Sequence, residues 1–133
     1  MPLMIGVLLA LAVGLFATRL GLDRDRALYP AVTIVVASYY VLFAVMGAST
    51  GVLLREILAG AAFLLLAAIG FKKSLWLVVA ALAGHGVFDL SHGSFIDNAG
   101  MPAWWPHWCL AYDVTAAAYL ALLLKSKRLR ATA

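Results

Sequence analysis

Five apolar segments, each long enough to cross a lipid bilayer, constrain this chain more than any other feature. They cover about residues 2–18, 29–47, 52–70, 74–92 and 106–124, with short polar breaks between them. About 17–20 helical residues cross a hydrocarbon core of about 30 Å. Backbone groups in lipid must be hydrogen-bonded within their own segment, and the alternation of a membrane strand is absent. The sequence therefore predicts an all-α integral membrane bundle of about five transmembrane helices, forming a single domain over residues 1–133.

The charged residues agree with a membrane protein rather than a soluble one. Only 12% of the residues are charged and 65% are hydrophobic, whereas a soluble domain is nearer a quarter charged and half apolar. The net charge of +4 does not indicate a nucleic-acid partner, because four basic residues form one cluster directly after the last apolar segment. Such clusters anchor a spanning helix on its cytoplasmic side and contact anionic lipid. The bilayer is thus the expected partner.

The distribution of Lys and Arg predicts the orientation. Nine of these residues fall on one side of the predicted bundle: Arg19, Arg24, Arg26, Lys72, Lys73, Lys125, Lys127, Arg128 and Arg130. Arg55 alone falls on the other side. The positive-inside rule then places the N-terminus outside and the C-terminus in the cytoplasm. Because the first segment lacks a basic start and Ala17-Thr18-Arg19 is a poor cleavage site, we expect a retained helix rather than a signal peptide.

Ionisable residues inside two of the segments form a candidate functional cluster. His85, Asp89 and His92 follow i, i+4, i+7 spacing and so share one face of the fourth helix. Asp113 lies within the fifth segment. Counting from the outer surface at 1.5 Å per residue puts His85 and Asp113 each about 10 Å deep. Intramembrane ionisable residues usually mark function, so we expect these side chains to meet in the outer half of the bundle.

Two imidazoles and two carboxylates are suitable ligands for a divalent transition metal, with zinc as the expected ion. We predict His85, Asp89 and Asp113 as the main ligands. His92 lies about 10 Å along the axis from His85 and would serve as an outer ligand or proton carrier. A bound ion would lower the pKa of its water towards neutrality. Hydrolysis of a lipid or small amphiphile follows as the expected activity, with Asp89 and His92 as the catalytic residues.

Residues around the cluster are assigned weaker roles. Glu56 is interpreted as an interfacial partner of Arg55, with a metal-ligand role as the alternative. The polar segment 94–102 has turn chemistry and could fold over the cluster. Three tryptophans before and within the fifth segment are typical of an interfacial aromatic belt. Four further side chains are candidates to support the site: Cys109, which is otherwise a small buried residue, His107, Tyr112 and Tyr39. Tyr39 is one of three neighbouring hydroxyl residues, with Ser38 and Tyr40, of which one or two could face the cluster.

Other functions use the same residues. The cluster could be a structural or ligand-orienting hydrogen-bond network in a binding or assembly subunit. It could also belong to a proton, ion or small-molecule transporter, although the cytoplasmic halves of the fourth and fifth segments are almost entirely Ala, Leu and Val. Small residues at four-residue spacing suggest either packing within the chain or a homodimer face. These are Gly6, Ala10 and Gly14, and Ala80 with Gly84.

Several stretches carry a resemblance to known proteins. They are His85-Gly-Val-Phe-Asp89-Leu-Ser-His92, Asp97-Asn98-Ala-Gly-Met-Pro-Ala-Trp-Trp-Pro, Cys109-Leu-Ala-Tyr-Asp113, Arg26-Ala-Leu-Tyr-Pro30 and Ala37-Ser-Tyr-Tyr40. With these the chain resembles, over most of its length, a family of small bacterial multi-spanning membrane proteins of uncharacterised function. The resemblance implies a multi-pass protein of the bacterial cytoplasmic (inner) membrane. In chemistry alone the cluster is similar to seven-helix metal hydrolases of the ceramidase and adiponectin-receptor type, but the chain has fewer helices and lacks their paired-histidine motif.

Overall fold

Five long helices account for almost all of the structure, a computed structural model that describes residues 1–132. The helices are α1 (Pro2–Leu20), α2 (Leu28–Gly47), α3 (Thr50–Lys72), α4 (Leu75–Phe95) and α5 (Trp105–Lys125), and the described residues form no strand. Each helix is long and apolar enough to cross a membrane. The predicted all-helical bundle is therefore confirmed, and the five helices indicate a multi-pass membrane protein. The largest shift from the predicted bounds is in α4, which continues beyond His92 to Phe95.

Capping residues and prolines explain where several helices begin and end. The side chains of Ser49 and Ser74 accept hydrogen bonds from backbone N–H groups in the first turns of α3 and α4. Pro2 and Pro106 lie in the first turns of α1 and α5, where a missing N–H costs nothing. Gly21 ends α1 with a φ of 75°, a left-handed conformation that glycine adopts without strain.

Helix α5 packs between α1 and α4, while α3 packs between α2 and α4. The small-residue stripe of α1 is buried within the chain. A Cβ on Gly6 would collide with the backbone oxygen of Trp108, and one on Gly14 would meet the ring of Tyr119. The second small-residue stripe faces outwards, since Ala80 is exposed and a Cβ on Gly84 would meet nothing within 4 Å.

The interior is divided into an apolar half and a polar half. Towards the end of the bundle that carries the 21–27 turn, α4 and α5 bury Leu75, Val78, Leu82 and Leu120, all fully inaccessible. The chain after α5 folds across this end, where Ala131 O accepts a hydrogen bond from Leu75 N over 2.8 Å. The buried ionisable side chains of α3, α4 and α5 lie in the opposite half, next to segment 96–104. The candidate site thus lies towards one end of the bundle.

Candidate metal centre

Two antiparallel helices bring four potential metal ligands together. On α4, His85 and Asp89 lie one turn apart on a buried face, and on α5, Cys109 and Asp113 have the same spacing. All four side chains are at most 2% exposed. Gly86 contributes to the close approach of the two helices, because a Cβ there would lie 3.3 Å from the backbone oxygen of Leu110. We call these four residues the metal group.

The ligand atoms of the metal group are mutually close. One atom from each residue can be chosen so that all four lie within 4.8 Å of one another. His85 Nδ1 is 2.6 Å from Asp113 Oδ2 and 3.7 Å from Asp89 Oδ2. The Cys109 thiol donates to Asp113 Oδ2 over 3.5 Å. The group could therefore hold a metal ion, and it contains the three main ligands that the sequence predicts.

Two carboxylate oxygens in the metal group have no hydrogen-bond partner within residues 1–132. Asp89 Oδ2 and Asp113 Oδ1 are buried and have no hydrogen-bond partner among the described residues. Leaving a buried polar atom unpaired costs about 1–3 kcal/mol, and more for a charged group. A cation or a proton bound between the two carboxylates would remove that cost.

The phenol that supports Asp89 comes from Tyr40 rather than from Tyr39. The Tyr40 hydroxyl donates to Asp89 Oδ1 over 2.5 Å, a length typical of a hydroxyl bonded to a carboxylate. The Tyr39 ring instead lies 4.8 Å from the ring of Trp105 and is 36% exposed. Neighbouring helical residues point about 100° apart, so only one of the two tyrosines can face the cluster. The role expected of Tyr39 is corrected accordingly.

His92 belongs to a separate buried group. Its Nε2 lies 2.9 Å from Glu56 Oε1, the distance of an imidazole N–H donating to a carboxylate. The Asn98 amide donates to the same Glu56 oxygen over 2.7 Å and to the backbone oxygen of Tyr40 over 3.1 Å. The prediction that His92 joins the metal ligands is thus not met, because seven residues separate it from His85 by about 10 Å along the helix. We call Glu56, His92 and Asn98 the acid–imidazole group.

The interfacial pairing expected for Glu56 and Arg55 is wrong. Glu56 is 1% exposed, whereas Arg55 is exposed and its Nε donates to the backbone oxygen of Gly51. Helix α3 begins at Thr50, which places Glu56 between one and two turns inside it on the face towards α4. Segment 96–104 lies over the site, with Asn98 and Ile96 buried, so the loop folds over the cluster as the sequence allowed. The role of Asn98 itself was not predicted, since turn-forming residues do not specify which side chain of a loop points inwards.

The remaining predicted side chains lie apart from the ligand atoms. His107 is exposed in the first turn of α5. Tyr112 is buried, but its ring stacks on Trp108 at a centroid distance of 5.4 Å. Cys109, expected only as a supporting residue, is itself one of the four potential ligands. Of the four supporting candidates, only Cys109 therefore joins the metal group.

Aromatic rings connect the two groups. The Tyr40 ring stacks on His92 with centroids 4.2 Å apart, while its hydroxyl bonds to Asp89. The Phe63 ring meets His85 edge to face at 4.7 Å. A narrow gap lies between the groups and is lined by His85, Glu56 and Tyr40 together with apolar residues, and it has no room for a water molecule. The metal group and the acid–imidazole group thus border one small space.

The chain matches no protein-family model, no curated protein and no solved structure. The resemblance to small bacterial membrane proteins therefore remains a prediction. The function has to be inferred from the chemistry and geometry of the buried groups.

Proposed function

We propose that this chain is a multi-pass membrane protein that binds a divalent transition metal through His85, Asp89, Cys109 and Asp113. One imidazole, one thiol and two carboxylates are ligands that zinc accepts in tetrahedral sites. The mixture of nitrogen, sulfur and oxygen donors is poorly suited to magnesium or calcium, which prefer oxygen ligands. Zinc is accordingly the ion we assign.

A buried excess of acidic groups is the observation that carries this proposal. The metal group combines two carboxylates with one imidazole, and the neighbouring Glu56 adds a third carboxylate against His92. No Lys or Arg is buried within residues 1–132. Burying anions without a compensating cation is costly. A divalent ion would offset the charge of Asp89 and Asp113 and occupy their unpaired oxygens.

Only small movements are needed for an ion to bind. Ligand atoms of a tetrahedral zinc site lie about 3–4 Å apart, given zinc bonds of about 2.0–2.3 Å. The four candidate atoms already lie within 4.8 Å of one another. The hydrogen bond of 2.6 Å between His85 and Asp113 would have to open to admit the ion. Tyr40 would continue to orient Asp89 through the other carboxylate oxygen.

We infer an outward-facing site in the bacterial cytoplasmic (inner) membrane. The predicted cytoplasmic side carries nine of the ten Lys and Arg residues, which supports an external N-terminus and an internal C-terminus. Segment 96–104 then lies outside and covers the buried groups. Trp104 and Trp105, at its junction with α5, are suited to the outer membrane interface.

For the activity, we infer hydrolysis of a lipid or small amphiphile. With three of the four residues as ligands and the fourth position open to water, the metal would supply Lewis acidity and an activated water when bound. The chain would supply the ligands and the orienting hydroxyl of Tyr40. Glu56 borders the narrow gap beside His85 with one carboxylate oxygen unpaired, which makes it a better candidate than His92 for contact with a reacting group.

A hydrogen-bonded network without metal is the second candidate, in a proton-coupled transporter or a ligand-binding or assembly subunit. Its support is the direct pairing of His85 with Asp113, Tyr40 with Asp89 and His92 with Glu56. The fully buried apolar layer of α4 and α5 counts against a polar path that continues to the other membrane face. A homodimer through the outward stripe of Gly84 remains a separate proposal.

Elemental analysis of purified protein in detergent tests the metal proposal. We expect about one zinc ion per chain in the wild type after reconstitution and dialysis, and loss of that ion in His85→Ala and Asp89→Ala. His107→Ala is the matched control, because its exposed imidazole lies outside the metal group. Wild-type protein that retains no ion would overturn the metal proposal and favour the hydrogen-bonded network.

A further inference from the structure

The chain leaves α5 through a turn that places a lysine where glycine is usual. Arg128 N donates to Leu123 O over 3.0 Å and Lys127 N donates to Leu124 O over 3.2 Å, the two hydrogen bonds of a Schellman motif. The left-handed residue of this motif is commonly glycine, but here it is Lys127, with a φ of 56°. The chain thus keeps a cationic side chain at a position where glycine would fit without strain.

The segment after this turn is held against the end of the bundle. Ala131 O accepts hydrogen bonds from Leu75 N over 2.8 Å and from the Arg26 guanidinium over 3.1 Å. Leu129 is 6% exposed and packs into the hydrophobic core. Residues 126–132, which we call the basic return loop, therefore have a defined shape instead of the freedom of a solvated tail.

A cavity of about 470 Å³ lies on the basic return loop. Its volume falls within the range of about 300–1,000 Å³ that is typical of ligand pockets. The lining joins polar and cationic side chains to apolar ones: Lys127, Arg130 and Thr132, with Leu124, Leu129 and Ala131. Such a lining suits a ligand that carries an anionic group next to apolar carbon, whereas inorganic phosphate would use only part of it.

The positive charge of this cavity is not offset by a carboxylate of the described residues. Residues 114–132 contain no Asp or Glu, and none of the lining residues is acidic. The two carboxylates of the 21–27 turn are bonded locally, because Asp23 accepts from the Thr18 hydroxyl and Asp25 accepts from Ala27 N. Lys127 and Arg130 form no salt bridge with any of residues 1–132, so both cations are available to an anionic ligand.

The cavity lies at the level where the phosphate groups of a bilayer would be. Helix α5 is long and apolar enough to span a membrane and ends at Lys125, directly before the basic return loop. The head groups of a bilayer lie just outside its hydrocarbon core. Leu122, less than one turn before Lys125, is 63% exposed and offers an apolar surface to an acyl chain. The cavity and this leucine thus follow the order of a phospholipid, with the head group outside and the chains inside.

We propose that the basic return loop binds the head group of one anionic phospholipid. Lys127 and Arg130 contact its phosphate, and Leu124 and Leu129 contact the carbon atoms next to it. Basic residues near a membrane attract anionic lipid in general, whereas this cavity selects one position among the Lys and Arg residues of the chain. The cavity lies at the opposite end of the bundle from the metal group, so the inference goes beyond the proposed function and does not depend on it.

Lysine acetylation in lipid nanodiscs tests the position of the site. The full chain is placed in nanodiscs of phosphatidylcholine, alone or with a minor fraction of phosphatidylglycerol, and mass spectrometry follows the acetylation of each lysine by a water-soluble reagent. Lys127 should react about tenfold more slowly once phosphatidylglycerol exceeds its Kd about ninefold. Lys125, Lys72 and Lys73 lie outside the cavity, and their rates should change by less than about twofold. Inorganic phosphate added to the phosphatidylcholine nanodiscs should protect none of these lysines.

Variants with matched charge show whether the cavity or the overall charge binds the lipid. Lys127→Asn with Arg130→Gln removes both cations, and asparagine tolerates the left-handed backbone of residue 127. We expect the Kd for phosphatidylglycerol, from native mass spectrometry in a neutral detergent, to rise by about thirtyfold. Lys125→Gln with Arg128→Gln removes the same charge outside the cavity and should change the Kd by less than about threefold. Arg130→Lys retains the charge and should keep the Kd within about threefold of the wild-type value.

Four results would overturn the inference. Equal protection of Lys125 and Lys127, or equal losses of affinity in the two double variants, would show attraction by overall charge without a site. Equal protection of Lys127 by inorganic phosphate would make the cavity a site for free phosphate. Phosphatidylcholine that binds as tightly as phosphatidylglycerol would show that the cavity does not select an anionic head group. The metal content of the protein enters none of these measurements.

Discussion

The hydroxyl of Tyr40 on α2 donates a hydrogen bond to Asp89 Oδ1 on α4 over 2.5 Å. The ring of the same tyrosine stacks on His92, which pairs with Glu56. Tyr40 therefore contacts both the metal group and the acid–imidazole group, and it connects α2 to the site formed by the other helices.

Removal of this hydroxyl should destabilise the fold with little change in shape. Tyr40→Phe retains the ring on His92 but leaves Asp89 Oδ1 without its donor. We expect the free energy of unfolding to fall by about 1–3 kcal/mol, the usual cost of leaving a buried acceptor unpaired. Equilibrium unfolding in mixed detergent micelles measures the change. Tyr39→Phe is the matched control. Its free energy of unfolding should lie within about 0.5 kcal/mol of the wild-type value, because the Tyr39 side chain is partly exposed. Equal losses in both variants would contradict the role of Tyr40.

Asn98 should hold segment 96–104 over the site. Asn98→Ala removes the two hydrogen bonds to Glu56 and to the backbone of Tyr40, so we expect faster local opening of this segment. Amide hydrogen exchange of residues 96–104 should accelerate by about tenfold or more, as the loss of about 1.4 kcal/mol implies. Asp97→Ala alters the exposed neighbour and should leave the exchange unchanged. Similar exchange in both variants would mean that other contacts hold the segment.

The contact between α1 and α5 should depend on the absence of a side chain at Gly6. Gly6→Ala forces a methyl group against the backbone oxygen of Trp108, and we expect a loss of about 1–3 kcal/mol in unfolding free energy. Gly84→Ala adds the same group where nothing lies within 4 Å, and its effect should stay within about 0.5 kcal/mol. Equilibrium unfolding gives the unfolding free energy of both variants. Equal values for Gly6→Ala and Gly84→Ala would contradict the packing of α1 against α5.

The orientation can be tested with single cysteines in a Cys109→Ser background. Ser94→Cys lies at the exposed C-terminal end of α4, and Ser126→Cys follows α5 on the basic side. In intact cells we expect a membrane-impermeant maleimide to modify the first cysteine and not the second, as the distribution of Lys and Arg predicts. The reverse pattern would invert the assigned topology.

The helices and part of the site follow directly from the sequence. Apolar segments of bilayer length give the five helices, because backbone groups in lipid leave few alternatives. The i, i+4 spacing and the matched depths of α4 and α5 predict that His85, Asp89 and Asp113 meet, and the structure places them together. Both inferences depend on the regular geometry of single helices.

The other contacts depend on which way each helix faces, which the sequence does not encode strongly. Helix α2 is apolar on all sides, so hydrophobicity cannot select Tyr40 over Tyr39 as the inward tyrosine. Glu56 stands next to Arg55 in the sequence, yet a rotation of about 100° separates the buried residue from the exposed one. Asn98 contacts Glu56 because of the way the segment between α4 and α5 folds back over the bundle. Turn-forming residues in a sequence do not specify where a loop packs.

Alkylation of Cys109, measured with and without zinc, tests the central claim most directly because it reports where the ion binds. Cys109 is the only cysteine of the chain. At a free zinc concentration about a hundred times the Kd, we expect alkylation of Cys109 in the wild type to slow by about a hundredfold. In Asp113→Asn, which lacks a carboxylate ligand, the alkylation rate should not change with zinc. Protection of the wild type alone supports a metal site at His85, Asp89, Cys109 and Asp113. An unchanged alkylation rate in wild-type protein with zinc would contradict it.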